Sequence, residues 1–441
     1  MRKFLAILLC KMARWAGVLL GRGSSLPGRI ALKVCPDVLS RVSYPDKIVA
    51  VTGSNGKTTT VEMINEVLCK AGYDVAFNSE GSNLLDGAAT LILDNCTLTG
   101  KFRKQILLLE VDERYAQYIF KYVTPTYFVI TNIYRDQMTR NGNPEFVLGE
   151  IKKGIRPGTT LILDSDDPAI CALSKEFDND CYFYGVGDNP DVYEECDSIY
   201  NDDYYCPICK HKMIYTYHQF AHIGKYHCPG CKFERHEANV EATSVNTEKG
   251  TIKINNKYTV NMAMKSIHNV YNILATFAVC NLLEVDAYTV TDTLSDYLIR
   301  NGRIKSFTAG SKKGTLLISK HENSISYNQN LKYLASYPED VTVLLIVDAI
   351  SRKYFTSETS WLWDISFELL QSPNIKQVVV SGRYASDVAL RLEYAGVKDK
   401  MLVKKNIKAA AMYLRFKAEG HIFLLTCFSD EKKFLEEVSL D

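Results

Sequence analysis

The stretch that most constrains this chain covers residues 47–60, with the sequence KIVAVTGSNGKTTT. Its apolar, β-branched run at residues 48–51 predicts a buried strand, and a helical pattern then continues to Ala71. The two glycines in between let backbone N–H groups approach phosphate oxygens, and the start of a helix adds positive potential. A strand, a glycine loop and a helix in this order therefore predict a nucleotide phosphate site.

The polar residues of this loop fit the same ligand. We expect Lys57 to reach the terminal phosphates and Thr58 to hold Mg²⁺. Val51 stands where a strict Walker A sequence has its first glycine, so a glycine-rich turn without a ligand is the alternative. The expected nucleotide-binding residues of the loop are Gly53, Asn55, Gly56, Lys57, Thr58 and Thr59.

Other apolar runs also end in polar side chains. Residues 105–109 lead to Glu110, and residues 127–130 lead to Thr131 and Asn132. Helical stretches separate these runs, which predicts an α/β fold with a parallel sheet whose polar strand ends share one edge. Ligands bind at that edge in open α/β sheets, and a carboxylate suits Mg²⁺. We therefore expect Glu110 to bind the metal.

The composition is that of a globular chain with reduced cysteines. Its 441 residues are enough for about two or three domains with large cores. The net charge of +1 argues against a general nucleic-acid binder. Because the 13 cysteines are odd in number and the N-terminus is not a convincing signal peptide, we expect cytosolic thiols and a metal site rather than a disulfide framework.

Two Cys-x-x-Cys pairs stand out, Cys206 with Cys209 and Cys228 with Cys231. This spacing predicts a zinc ribbon inserted at about residues 200–240, with four thiolates that leave no open position for catalysis. The ribbon is also basic, which leaves a nucleic-acid contact open, although we prefer a plain structural insertion. Its basic residues include Lys210, Lys212, Lys225, Lys232 and Arg235.

The first 45 residues predict an amphipathic helix rather than a targeting or membrane-spanning segment. Phe4, Leu8, Met12 and Trp15 lie at helical spacing, and basic residues break a run too short for a bilayer. We expect the helix to end near residues 21–23. We favour docking of this apolar stripe on the chain's own domain, and a peripheral contact with the inner face of the plasma membrane stays open.

After this segment, the pattern of strand-like and helical runs predicts a central domain at residues 46–303 and a C-terminal domain at residues 304–441. Strand-like runs alternate with helices in the C-terminal part, which indicates a second, Rossmann-like α/β unit without a glycine fingerprint. Asp348 follows one of these strands. Trp361 and Trp363 either stack on a ligand or partner or belong to the core.

The end of the central domain adds candidate nucleotide contacts. Asn269 and Asn272 stand at the start of a helical pattern, where they either cap the helix or contact a purine base. Arg303 supplies a cation that fits a phosphate.

Together these motifs resemble the MurT family, the ligase subunits of the lipid II isoglutaminyl synthase of Gram-positive bacteria within the Mur ligase superfamily. The matching segments are the inserted ribbon and residues 52–59, 110–113, 131–138, 301–303 and 360–364. The resemblance implies a Mur ligase-type ATP-binding domain carrying a four-cysteine zinc ribbon, followed by a Rossmann-like α/β domain.

The resemblance also implies a reaction. ATP would phosphorylate the α-carboxylate of D-glutamate in the lipid II stem peptide, and ammonia would attack the acyl phosphate to give D-isoglutamine. Asp348 matches the family's catalytic aspartate, which would orient or deprotonate the incoming nitrogen. Asn269 and Asn272 would lie on the adenine side, and Arg303 near the phosphates. The implied cofactors are ATP, Mg²⁺ and a structural Zn²⁺.

The implied partners follow from what the chain lacks. Cys280 and Cys427 have no glycine-flanked elbow, so ammonia would come from a separate, GatD-like glutamine amidotransferase subunit. The resemblance implies a cytoplasmic protein that acts on lipid II or a related muropeptide and binds no nucleic acid.

Two alternatives stay open. The segments around Lys320 and Asp348 depart from the family's pattern, so the acceptor is not fixed. A diverged ligase of the Mur or folylpolyglutamate type, joining an amino acid or ammonia to another carboxylate, is one alternative. The other is an ATP-dependent binding module that uses the basic ribbon, against which the near-zero net charge counts.

Overall fold

The computed structural model describes residues 1–19, 24–78, 82–189, 192, 194, 196, 204–263, 265–297, 304–320, 322–350 and 357–438. These residues form two compact units. The first comprises the described residues of Met1–Ile133, Pro144–Asp197 and Asn201–Ile299, and the second those of Tyr134–Asn143 and Arg300–Asp441. Residues 134–143, which lie inside the central domain predicted from the sequence, thus group with the second unit.

The elements alternate between strands and helices along most of the chain. The strands are β1 (Lys47–Thr52), β2 (Val75–Phe77), β3 (Ile106–Glu110), β4 (Tyr127–Ile130), β5 (Thr160–Asp164), β6 (Cys181–Val186), β7 (Ile214–Phe220), β8 (Ile223–His227), β9 (Val240–Asn246), β10 (Thr251–Ile254), β11 (Tyr258–Asn261), β12 (Ile304–Ala309), β13 (Lys312–Ser319), β14 (Val341–Ile346), β15 (Ile375–Ser381), β16 (Met401–Val403) and β17 (His421–Cys427). The α-helices are α1 (Arg2–Leu19), α2 (Leu26–Val34), α3 (Lys57–Lys70), α4 (Leu85–Asp94), α5 (Ala116–Ile119), α6 (Met138–Asn141), α7 (Pro144–Lys152), α8 (Pro168–Cys171), α9 (Leu173–Glu176), α10 (Ile267–Leu282), α11 (Ala287–Ser295), α12 (Ser324–Ala335), α13 (Ala385–Tyr394), α14 (Ile407–Lys417) and α15 (Phe428–Val438). The 3₁₀ turns are Val38–Arg41, Ser360–Asp364, Phe367–Gln371 and Lys398–Lys400.

Over the described residues of the first unit, nine strands form one sheet in the order β11-β10-β9-β6-β5-β4-β1-β3-β2. The pairs from β2 to β9 are parallel, and β10 and β11 add an antiparallel edge. Strands β1, β3, β4 and β5 are almost wholly buried, as their continuous apolar runs predict for a sheet covered by helices on both faces. The predicted α/β fold with a parallel sheet is confirmed.

The register of the sheet gathers the polar strand ends at one edge. Val51 of β1 pairs with Glu110 of β3, and Thr52 pairs with Ile130 of β4. The loop after β1 therefore starts next to the end of β3 on one side and next to Thr131, which follows β4, on the other.

The N-terminal helix is present, but its orientation differs from our expectation. Ala6, Ile7 and Cys10 form its buried face, and α1 packs against α2 and α4. Phe4, Met12 and Trp15, which we expected to dock on the domain, are exposed. Ala6, Ile7 and Cys10 therefore face the neighbouring helices, and the line of larger apolar side chains lies on the other side of α1. The predicted helix end at residues 21–23 lies outside the described residues, and no helix of the described chain is long and apolar enough to cross a bilayer.

The second unit contains, over its described residues, a six-stranded sheet in the order β12-β13-β17-β14-β15-β16. All pairs are parallel except β12 with β13, so the predicted second α/β unit is confirmed. Trp361 is buried against Tyr327, whereas Trp363 is partly exposed beside Tyr394 and Arg391. Core packing therefore accounts for Trp361.

Candidate functional site

The phosphate loop has the backbone that only glycine adopts easily. Gly53 and Gly56 have φ values of 130° and 83°, in the left-handed region. A Cβ on Gly53 would lie 2.2 Å from Oγ1 of Thr131, and one on Gly56 would lie 2.2 Å from Oδ1 of Asn272. The Thr60 N–H donates to Gly56 O at 2.8 Å, which starts α3 directly after the loop. The first N–H groups of α3 thus face the loop, as a phosphate cradle requires.

Asn132 supports this loop from the neighbouring strand. Its backbone O accepts from the Ser54 N–H and its Oδ1 accepts from the Asn55 N–H, both at 2.8 Å. Its Nδ2 donates to Asn55 O at 3.1 Å, and the Thr131 hydroxyl donates to the same oxygen at 2.8 Å. The side chain that we expected to contact the nucleotide is therefore used to shape the loop, and its role toward a ligand stays a prediction.

Lys57 begins α3 and is largely buried. Its ammonium donates to Gly53 O, to Ser54 O at 3.4 Å and to a carboxylate oxygen of buried Glu113. Glu113 lies on the loop after β3. It belongs to the motif at residues 110–113, but the sequence did not predict its contact with Lys57. The structure thus places the lysine at the loop beside a carboxylate that neutralises it.

Glu110 ends β3 and is buried. Its Oε1 accepts from Asn83 Nδ2 at 3.1 Å, whereas Oε2 has no hydrogen-bond partner within the described part of the chain. A buried carboxylate oxygen without a partner is costly unless a cation or another ligand satisfies it. The donor set therefore fits Mg²⁺, with Thr58 half-buried at the start of α3 as the hydroxyl expected beside it.

The other expected nucleotide residues are only partly brought to this place. Asn272 lies at Gly56, where its Oδ1 accepts from the Thr60 hydroxyl at 3.4 Å. Asn269 is buried at the start of α10, but the cap of this helix is Ser266, whose side chain accepts from the Asn269 N–H. Arg303 lies outside the described residues. Thr59 is half-buried in the first turn of α3.

The four predicted zinc ligands converge. The sulfur atoms of Cys206, Cys209, Cys228 and Cys231 all lie within 4.8 Å of one another. Among them, Cys206 and Cys231 are 3.6 Å apart and Cys209 and Cys228 are 3.3 Å apart. Four convergent thiols at such distances fit a tetrahedral zinc ion. The hairpin of β7 and β8 lies between the two cysteine pairs.

A buried ion pair beside this hairpin was missed by sequence reasoning. Arg235, which we counted among the basic residues of the ribbon, donates to Asp166 Oδ1 at 2.5 Å, and the Tyr271 hydroxyl donates to Asp166 Oδ2 at 2.6 Å. Burial, with the nearby charges of Asp166 and Asp167, raises the pKa of Asp164 well above its ordinary value. Arg235 therefore stabilises an acidic turn of the sheet and is not part of a solvent-facing basic surface.

Asp348 lies two residues after β14, at the carboxyl end that the sequence predicts. Its Oδ1 accepts from the Arg383 N–H at 2.8 Å, and its Oδ2 is ion-paired with Lys433. Partial burial tends to raise the pKa of Asp348, but the bonds from Lys433 and Arg383 outweigh it, so this pKa lies below its ordinary value. Asp348 is thus held as a carboxylate.

Asp430 supports the turn that carries Asp348 and was also missed. It is fully buried, and its Oδ2 accepts from the N–H groups of Asp348 and Ala349 at 2.8 and 3.0 Å. Its Oδ1 lies 3.1 Å from the Lys433 ammonium. Lys433 therefore bridges two carboxylates, which raises the pKa of its ammonium although partial burial opposes this.

Asp136 forms a further polar contact, within the second unit. Its carboxylate is ion-paired with Lys320, and it accepts from Asn323 Nδ2 at 3.0 Å. The Gln137 N–H also donates to Glu322 O at 3.0 Å. These bonds give a structural role to Asp136 and Gln137, for which the sequence predicts no chemical role.

Comparison with known proteins agrees with this arrangement. A family model of the Mur ligase middle domain matches residues 51–216, and a model of the MurT ligase C-terminal matches residues 321–429. The lipid II isoglutaminyl synthase (glutamine-hydrolyzing) subunit MurT of Staphylococcus aureus N315 is 32% identical over 95% of this chain and 94% of its own length. The corresponding Streptococcus pneumoniae R6 subunit is 28% identical over 95% of this chain and 92% of its own length.

Solved structures support the fold. A pseudomurein peptide ligase type C from Methanothermus fervidus has a TM-score of 0.69 at 18% identity, over 92% of this chain and 80% of its own. The MurF ligase of Thermotoga maritima, solved in complex with ADP, has a TM-score of 0.61 at 15% identity, over 93% and 84% of the two chains. With the two family models and the nearly full-length similarity, this shows that the chain belongs to the MurT family of Mur ligase-like enzyme subunits.

Proposed function

We propose that this chain is the ATP-dependent amidating subunit of a lipid II isoglutaminyl synthase. It would convert the α-carboxylate of D-glutamate in the lipid II stem peptide to D-isoglutamine, as a step of peptidoglycan synthesis. The observation that carries this proposal is 32% identity over 95% of the chain to a subunit named for this reaction.

The reaction has two steps. In the first, an oxygen of the carboxylate attacks the γ-phosphorus of ATP, the bond to ADP breaks, and an acyl phosphate forms. In the second, ammonia attacks the acyl carbon, the bond to phosphate breaks, and the nitrogen loses a proton. Each step moves charge, so the protein's part is to neutralise phosphoryl oxygens and to position the nitrogen.

The residues of the phosphate loop account for the first step. The N–H groups at the start of α3 would bind phosphate oxygens, and Lys57 would add a positive charge. For this the Lys57 ammonium must exchange a contact with Glu113 or with a loop carbonyl for a phosphate oxygen. Mg²⁺, held by Thr58 and Glu110, would supply further positive charge to the phosphates. The unpartnered Oε2 of Glu110 supports this assignment.

Asp348 would act in the second step. Because its pKa is lowered, it is ionised at neutral pH, as a group that orients ammonium or accepts a proton must be. Its ion pair with Lys433 has to loosen for it to do so, and Lys433 is exposed enough to move. Asp430 and Arg383 would keep the Asp348 backbone and carboxylate in place.

Ammonia would come from a GatD-like glutamine amidotransferase subunit, with which this chain would form a heterodimer. The relatives are named as subunits of a glutamine-hydrolyzing enzyme, which supports a partner of this kind. The four-cysteine cluster would hold a structural zinc ion.

The experiment combines the purified chain with Mg²⁺, ATP, lipid II and either ammonium or glutamine plus a glutaminase subunit. Mass spectrometry of the muropeptide should show replacement of one hydroxyl by an amino group. Lys57→Ala should lose both nucleotide binding and product. Asp348→Asn should lose about 10²-fold or more in product while calorimetry shows nearly unchanged ATP affinity.

Asp340→Asn provides the control, since Asp340 is an exposed carboxylate of the same unit, and it should behave as the wild type. Full activity of Asp348→Asn would remove this residue from the mechanism. Product formed with an amino acid and without ammonium would instead identify an amino-acid-adding ligase.

A further inference from the structure

The N-terminal helix α1 has two faces of different composition. On its inner face, Ala6, Ile7 and Cys10 are fully buried. Its outer face is large and apolar, and much of it is open to solvent: Phe4 is 48% exposed, Met12 58% and Trp15 72%. The fold uses only the inner face, so the outer face needs another explanation.

The outer apolar side chains form one continuous surface. Phe4, Leu8, Met12 and Trp15 follow one another at spacings of four, four and three residues, which places them in one line along a helix. Within this line Leu8 is half-buried, and Leu5 is exposed beside the line. We call these five residues the outer stripe. The helix has 18 residues and is about 27 Å long, so the stripe extends along most of its length. Exposed apolar surfaces of this extent mark interaction sites.

The charge around the stripe selects the occupant. The first 36 residues contain seven lysines and arginines and no aspartate or glutamate, whereas the whole chain has a net charge of only +1. Within the described residues, Lys11 is paired with Asp94 and Arg29 with Asp86, which offsets part of this charge, while Arg2 is exposed. A second copy of the same basic helix would be repelled, whereas an anionic surface would be attracted.

We propose that α1 lies flat on an anionic lipid bilayer, with the outer stripe in the interface and exposed Arg2 near the headgroups, and that the positive charge of the first 36 residues attracts it there. An aromatic and aliphatic stripe together with basic residues is the composition of helices that lie in the membrane interface. The inner face holds the helix in its place on the first unit, so the stripe is presented as a preformed surface. This proposal does not depend on the reaction proposed above.

The test is sedimentation of the full-length protein with vesicles of phosphatidylglycerol and phosphatidylcholine. The wild type should bind these vesicles, bind less at high salt and bind weakly to phosphatidylcholine alone. The double variant Phe4→Glu, Trp15→Glu should bind at least about tenfold more weakly, because it loses apolar contacts and gains repulsion. Its matched control is Tyr394→Glu, Phe416→Glu, which changes two comparably exposed aromatic residues in the second unit and should bind normally.

Tryptophan fluorescence gives a second measurement. Trp15 should shift its emission to shorter wavelength on anionic vesicles, and Trp15→Phe should lose this shift but keep sedimenting. Failure of the wild type to bind anionic vesicles would overturn the proposal, as would undiminished binding of the Phe4→Glu, Trp15→Glu protein. A dimer in light scattering that this double variant abolishes, without vesicle binding, would make a second copy the occupant and the proposal wrong.

Discussion

At the scale of single residues, buried carboxylates define both candidate centres. Glu113 neutralises Lys57 in the phosphate loop, and Asp430 holds the turn that carries Asp348. Asp430 contacts the backbone of Asp348 and the ammonium of Lys433, so it would act through their positions. We therefore regard it as a positioning residue.

We predict that Asp430→Asn lowers kcat by about tenfold or more, because a loosened turn misplaces the Asp348 carboxylate. The KM for ATP should not change, since the loop proposed to bind ATP lies in the first unit. Steady-state kinetics with ammonium would separate the two constants. Glu436→Gln, an exposed change on the same helix, is the control. A wild-type kcat in Asp430→Asn would contradict this role.

Some of these residues could be predicted from the sequence and others could not. Lys57, Glu110 and the four cysteines belong to local patterns whose spacing itself carries the chemistry. The contacts of Arg235 with Asp166 and of Lys320 with Asp136 join residues that are 69 and 184 positions apart. Because no local pattern encodes such pairs, only the folded chain reveals them.

At the scale of elements, long apolar strands were predictable because burial on both faces gives a continuous hydrophobic run. The edge strand β12 was missed, since Lys305, Ser306 and Thr308 give it the composition of a loop. The face of α1 that packs inward was also predicted wrongly, because hydrophobicity alone favoured its larger side chains. In the folded chain, Ala6, Ile7 and Cys10 pack against the neighbouring helices instead.

For the thiol cluster, we predict that the wild type copurifies with zinc and that Cys206→Ser and Cys228→Ser lower both the zinc content and the folding yield. Metal binding and folding are coupled in such sites, because the unfolded chain does not preform them. Metal analysis and the yield of soluble protein measure the two effects. Cys69→Ser, a change of an exposed cysteine, should alter neither. Full zinc content in Cys206→Ser would show that this cysteine is not a ligand.

At the scale of the whole molecule, the two compact units are not simple consecutive pieces of the chain. Residues 134–143 belong with the second unit, although the chain on either side of them belongs with the first. One polar anchor of this segment is Asp136, which is buried and paired with Lys320 and Asn323. A protein cut at the predicted boundary of residue 304 would lack this segment.

We therefore predict that Asp136→Asn destabilises the second unit by about 1–3 kcal/mol, because Lys320 loses its counter-charge in a mostly buried place. Differential scanning calorimetry should show an earlier unfolding transition. Asp340→Asn removes an exposed ion pair with Lys376 in the same unit and should cost less than about 1 kcal/mol. Equal transitions in the two variants would argue against the anchoring role of Asp136.

The hydrogen bonds between Asn132 and the phosphate loop have a consequence for the sheet that carries the loop. The loop follows β1 in the chain, and Asn132 follows β4. The register between β1 and β4 therefore determines where Asn132 contacts Asn55. A slip of one residue between these strands would move the amide by about 3.3 Å and turn it to the opposite face. The nucleotide affinity proposed for this loop would thus depend on strand alignment deep inside the sheet, and substitutions in the interior of the sheet would weaken it.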